Sequence, residues 1–153
     1  MNAGRALTVS LRTENTGTAD LLLSEALHTY FRVSEIGSVR ILGLAAEDLP
    51  CAWPGYRDGV MTFAQETDLV CQCGSRILVI DDPGMARKIR VGRFGSQTSV
   101  VWNPWIAKAA AMSDFGDEEY HEMVCVEAAN AQSGALTLKP GAEHILTTEI
   151  SLL

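Results

Sequence analysis

Short runs rich in Val, Ile, Leu and Thr recur along the chain at intervals of roughly ten residues, separated by turn-forming residues. Half-buried strands read this way, because successive side chains point to opposite faces and the connections need Gly, Pro, Asn or Asp. ALTVSLRTE (6–14), SVRILGL (38–44), ILVIDD (77–82), RKIRVGR (87–93), SVVWNPW (99–105), MVCVEA (123–128), GALTL (134–138) and HILTTEISLL (144–153) are therefore expected as strands. The connectors NTGTAD, DDPGMA, RFGS and KPGAE supply the turns, and ILVIDDPGMARKIRV predicts a hairpin around Asp82–Gly84. The expected fold class is all-β, a sandwich, with residues 1–153 as a single domain free of repeats and linkers.

Two segments depart from this pattern. WIAKAAAMS (105–113) is Ala-rich and predicts a short helix. Between Asp20 and Val33 the pattern supports two readings. Leu23, Ala26, Leu27, Tyr30 and Phe31 fall at helical spacing behind a capping Asp20. With period two, Leu21, Leu23, Leu27, Thr29, Phe31 and Val33 share one side, and Ser24, Ala26, His28, Tyr30 and Arg32 share the other. Glu25 fits neither side of the strand reading, and periodicity leaves the choice open.

Glu127 stands in the middle of the apolar run MVCVEAANA. A carboxylate inside a β core needs a partner or a task. Period two places Met123, Cys125, Glu127 and Ala129 on one face, with small neighbours that leave room for a ligand. His28, in SEALHTYF, is a second polar group in a similar setting, and an acid and a base of this kind suit proton shuttling. The structural alternative for Glu127 is an ion pair with Arg32 or Arg57. Asp58 in GYRDG is expected to shape a turn, and Asn103 with Pro104 to fix a bend after its strand. Trp53, Trp102 and Trp105 are candidate packing anchors or sugar platforms. His121 and His144 are expected at the surface, and DFGDEEY as a solvated acidic turn.

Composition narrows the classes. A net charge of -7 argues against nucleic acid, whose phosphates need clustered Lys and Arg. No stretch approaches the roughly 20 apolar residues that cross a bilayer, and the first residues lack a signal-peptide pattern, so a cytoplasmic chain is expected. Cys51, Cys71, Cys73 and Cys125 form no CxxC pairs, and reduced thiols without a metal are expected; Cys71 and Cys73 would share one face of a strand.

The strings SEALHTYFRV, ETDLV, VVWNPW, MVCVEAANA and LKPGAEHIL, in that order, resemble the carboxy-terminal half of the hexose-6-phosphate mutarotases, or glucose-6-phosphate 1-epimerases, of the aldose 1-epimerase superfamily. The resemblance extends from about Arg5 to about Ile150. It implies a β-supersandwich and an isomerase that interconverts the α and β anomers of a hexose 6-phosphate without metal or organic cofactor. It matches His28 to the catalytic histidine, Glu127 to the catalytic glutamate and Asp68 to the substrate-binding aspartate, and it favours a strand at His28. By the same resemblance, Glu127 acts as base and His28, as imidazolium, acts as acid. Family members are about twice as long, and their other half carries the basic residues for the phosphate; Arg5, Arg12, Arg32 and Arg57 match no phosphate motif. Exposed strand edges and an apolar face are expected to invite self-association, and little epimerase activity is expected of the chain alone. The alternatives are a non-catalytic carbohydrate-binding or regulatory module, or an inactive fragment.

Overall fold

The period-two runs pair into antiparallel sheets in a computed structural model that describes residues 2–72 and 74–153. In chain order the first strands are β1 (Asn2–Ala3), β2 (Leu7–Glu14), β3 (Leu21–Leu23), β4 (Glu25–Leu27), β5 (Tyr30–Arg32) and β6 (Arg40–Leu42). Next come β7 (Tyr56–Arg57), β8 (Val60–Thr62), β9 (Thr67–Cys71), β10 (Ile77–Asp82), β11 (Arg87–Phe94) and β12 (Thr98–Asn103). Helix α1 (Trp105–Ala111) precedes β13 (Met123–Asn130), β14 (Leu136–Leu138) and β15 (Glu143–Leu152). The expected all-β sandwich and the short Ala-rich helix are both present.

A large sheet runs β1-β2-β15-β11-β10-β6-β8-β7, and a smaller one runs β4-β13-β12-β9 with β5 also on β13. β3 and β14 form a separate ribbon. The hairpin expected at Asp82–Gly84 is the β10–β11 turn, with Asp82 opposite Arg87 and Pro83–Met85 in a 3-10 turn. Asp58 and Gly59 connect β7 to β8 with φ of 50° and 82°, the positive values that a tight two-residue hairpin demands.

The core lies between the two sheets. Ile41, Met61, Leu78, Ile80, Ile89 and Val91 of the large sheet meet Leu69, Val101, Val124, Val126 and Phe31 of the small one, all buried in one cluster. β2 extends the large sheet past this core. Its apolar positions Leu7, Val9 and Leu11 face the same side as Val91 and Ile150, yet Leu7 and Leu11 are 36% and 40% exposed. Cys71 is buried, whereas its expected alignment with Cys73 lies outside the described residues because Cys73 does.

The ambiguous segment Asp20–Val33 is not a helix, because β13 supplies hydrogen-bonding partners along it. β4 and β5 both pair with β13, with Leu27 opposite Ala128 and Tyr30 opposite Cys125. His28 and Thr29 fall in a two-residue interruption between the two strands, which corrects the expectation of a strand through His28. Thr29 donates its hydroxyl back to the Leu27 carbonyl at this break. The register is the same on both sides, so His28 lies opposite Glu127.

Candidate active site

Because the even-numbered inner positions of β13 go to the core, its odd-numbered side chains emerge on the outer face of the small sheet. Val124 and Val126 point inward, and Met123, Cys125 and Glu127 point outward, as the alternation predicts. The outer side is covered in part by Met112 and Phe115, which pack on Trp102, Met123 and Cys125. Glu127 itself is 3% exposed. His28 reaches it from the neighbouring chain segment: Nδ1 stands 3.3 Å from Oε1, with half of the histidine side chain open to solvent.

Aromatic rings hold the imidazole. Tyr30 stacks on it at 4.7 Å with an 11° interplanar angle, and Trp102 meets both rings edge-on at 5.9 and 6.0 Å. Asp68, on β9, is the cross-strand partner of Trp102 and is exposed. Lys108 of α1 stands 3.5 Å from Asp68 and 3.3 Å from Glu66. The three residues singled out from the sequence, His28, Glu127 and Asp68, thus share one face of one sheet. Of the tryptophans, only Trp102 joins them: Trp53 donates to the Thr62 carbonyl, and Trp105 packs against Tyr120 and the core.

Burial sets the protonation of the pair. It pushes Glu127 up to about 7, and the negative charge of Asp68 adds to that rise. It also lowers the histidine below its ordinary value, so the imidazolium expected from the sequence is not the form this environment favours. Both shifts disfavour charge, and the pair takes up one proton as pH falls through about 7, shared between groups 3.3 Å apart.

Cys125 completes a trio, with one potential ligand atom each from His28, Cys125 and Glu127 within 4.8 Å of one another. Burial and the adjacent Glu127 push the Cys125 thiol well above its ordinary value, so in the metal-free chain it keeps its proton.

The structure also places the remaining candidates. Arg32 pairs with Glu122 at 3.1 Å and Arg57 lies on β7 at an edge of the large sheet, so neither is the partner of Glu127. His121 is at the surface as expected, between Glu35 at 3.2 Å and Glu118 at 3.3 Å. His144 is not a surface residue. Its side chain is 20% exposed, and Nε2 lies 3.1 Å from Glu25 Oε1 and 2.8 Å from the Gly95 carbonyl. Asn130 donates to the same Glu25 oxygen at 3.0 Å. Glu25, the misfit of the strand pattern, therefore points between the sheets and ties β4 to β15. The acidic turn DFGDEEY is more than a solvated loop: Phe115, Asp117, Glu118 and Glu119 line a hollow of about 930 Å³ that Tyr30 and Arg32 also border.

A family model described as Aldose 1-epimerase matches residues 1–151. The chain is 37% identical over 150 residues to a protein of Cenchrus ciliaris provisionally named a glucose-6-phosphate 1-epimerase, covering 90% of this chain and 43% of that one. It is 33% identical over 126 residues to a protein of Escherichia coli of the same provisional name, covering 80% and 43%. Among solved structures, one provisionally described as a mutarotase of Salmonella typhimurium superimposes with a TM-score of 0.81 at 27% identity, covering 97% of this chain and 50% of that one. The chain spans less than half the length of the curated relatives it matches.

Proposed function

Because the chain belongs to the aldose 1-epimerase family, we propose that its site interconverts the α and β anomers of a hexose 6-phosphate by opening and closing the sugar ring. The observation that supports this reading is the His28–Glu127 pair, a buried carboxylate whose partner imidazole opens to solvent. Ring opening needs one group to remove the proton from the anomeric hydroxyl while another protonates the ring oxygen. The C1–O5 bond then breaks, the aldehyde carbon turns about the C1–C2 bond, and closure on the other face reverses both transfers. A pair that binds one proton in total can do this. With the shared proton on His28, Glu127 as carboxylate accepts the hydroxyl proton while the imidazolium protonates the ring oxygen; with it on Glu127 the two roles are reversed, and closure exchanges them. Positioned proton transfer of this kind contributes roughly 10²- to 10⁴-fold. Asp68 accepts hydrogen bonds from sugar hydroxyls, and Tyr30 and Trp102 fix the imidazole plane.

The phosphate is proposed to be held by groups beyond this constellation. Lys108 is engaged by Glu66 and Asp68, Arg32 by Glu122, and the adjoining hollow is rimmed by carboxylates. A chain spanning under half of its relatives leaves that task to further sequence, supplied by the same polypeptide or a partner. The uncovered Leu7–Leu11 face of β2 is the proposed contact for such a partner, including a second copy of the chain. The net charge of -7 supports no nucleic-acid partner, and no helix among the described residues is long and apolar enough to cross a membrane. A cytoplasmic location is proposed.

Saturation-transfer NMR on the anomers of glucose 6-phosphate tests the reaction. Exchange above the solvent rate that disappears in His28→Ala and Glu127→Gln supports it; exchange that persists in both variants overturns it.

A further inference from the structure

Strand β12 ends in a junction whose geometry is unusually constrained. Asn103 is fully buried, and its amide donates to the carbonyls of Tyr120 (2.8 Å) and Met123 (2.9 Å) while its Oδ1 accepts from the Trp105 backbone N–H at 2.9 Å. Trp105 sits at φ +56°, a left-handed conformation that a bulky residue adopts only where its surroundings over-determine it. This junction sets the direction of α1 and sends the Trp105 ring into the core against Tyr120. One turn further on, Lys108 is delivered to the outer face of the small sheet.

Its ammonium there meets three groups. Glu66 and Asp68 accept it at 3.3 and 3.5 Å, and the Trp102 ring centroid lies 6.0 Å away, at the outer limit of a cation–π contact. Burial works against the ammonium, but the two carboxylates hold it above its ordinary value, so it stays charged. Trp102 is also the ring against which His28 and Tyr30 stand edge-on. A partly exposed pair of this kind contributes little to stability, typically about 0–1 kcal/mol. Its consequence lies in orientation and charge.

We infer that Lys108 is a positioning residue of this site: it holds the Asp68 carboxylate beside Trp102 and offsets that aspartate's negative charge where Glu127 works. The groups that bear on Glu127 are His28 and Tyr30 from the β4–β5 segment, Cys125 on its own strand and Asp68 on β9; Lys108, from α1, reaches it through Asp68 and is shared with Glu66. Lys108 is the permanent cation among them. Pairing with the Asp68 carboxylate at 3.5 Å, it offsets the charge that raises Glu127.

The test is a carbon-detected NMR titration of the Glu127 carboxyl in the whole chain and in Lys108→Met and Lys108→Arg. In Lys108→Met the midpoint is expected to rise above the parental value by about half a pH unit. Contacts between the residue-108 side chain and the Trp102 indole are expected to vanish as well. Lys108→Arg, which keeps the charge, is expected to retain the parental midpoint. A merely structural role would lower thermal stability and leave the midpoint alone. An unchanged Glu127 midpoint in Lys108→Met overturns the inference, and Lys108→Gln is read by the same criterion should the methionine variant fold poorly. The inference deepens the proposed epimerase reading, but the titration needs no turnover. A shifted midpoint beside anomer exchange that persists in His28→Ala and Glu127→Gln sinks the epimerase reading alone, and an unshifted midpoint in an active chain sinks the role of Lys108 alone.

Discussion

His28 and Glu127 face each other across two neighbouring chain segments, 3.3 Å apart, one half open to solvent and the other sealed beneath it. Asp68, on the third strand along from the histidine's segment, and Lys108 of α1 belong to the same face. Chemistry at this face is accessible from one side, through the imidazole.

Removing either member of the pair is expected to separate chemistry from binding. In a preparation of the protein that shows anomer exchange, His28→Ala and Glu127→Gln should each lower the exchange rate by at least about 10²-fold. Sugar affinity measured by calorimetry should change far less. Equal losses in both measurements would point to a binding role for the pair.

The pH profile follows from the shared proton. As pH rises through about 7 the pair gives up the proton that one group must donate to the ring oxygen. The specificity constant for exchange is therefore expected to fall above about 7, and this limb should be missing in Glu127→Gln. A profile that rises through the same range would rule out the one-proton pair as the active form.

Stability should carry the same signature. Glu127 is raised from its ordinary 4.5 to about 7, so the native chain binds this proton more tightly than the unfolded chain does. The associated stabilisation is complete below about 4.5 and is lost as pH climbs through about 7, with an upper size of roughly 3 kcal/mol. Glu127→Gln should lack this loss, and urea unfolding at pH 6 and pH 8 should show the parent weakening relative to the variant. Parallel stabilities at both values would count against a buried, uncharged Glu127.

The Glu25–His144 contact is a clip between the sheets, and its disruption should be costly. Glu25→Ala leaves His144 and Asn130 facing a void, for a loss of about 2–4 kcal/mol, whereas Glu25→Gln keeps an acceptor and should lose less. Differential scanning calorimetry would resolve the two. A Glu25→Ala variant melting with the parent would show the clip to be dispensable.

The uncovered face of β2 predicts association. Sedimentation velocity on the chain alone should show concentration-dependent dimers or larger species, reduced when Leu7 and Leu11 are both changed to Glu. A monomer at every concentration would remove this surface from consideration.

Much of the fold was legible because strands declare themselves through period two and turns through Gly, Pro, Asn and Asp. β10, β11, β13 and the Asp82–Gly84 hairpin follow directly from those two signals. Glu127 was legible for a related reason, since a carboxylate interrupts an otherwise apolar run. His28 was reachable only through the string around it, because its own segment satisfies helical and strand periodicity equally well and is decided by β13, a remote partner. Glu25 and His144 lie 119 positions apart on segments whose local patterns do not mention each other, so the clip between them left no trace in either. Lys108 was hidden in the same way: an Ala-rich helix advertises its conformation, while the direction in which it carries one lysine depends on the φ of Trp105.

The pairing of β4 and β5 with β13 keeps one count of residues through the interruption at His28 and Thr29. A single amino acid gained or lost between Glu25 and Arg32 would advance half of that ladder by one rung and swing the imidazole to the opposite surface of the sheet. Point changes can accumulate along this stretch, but its length cannot drift.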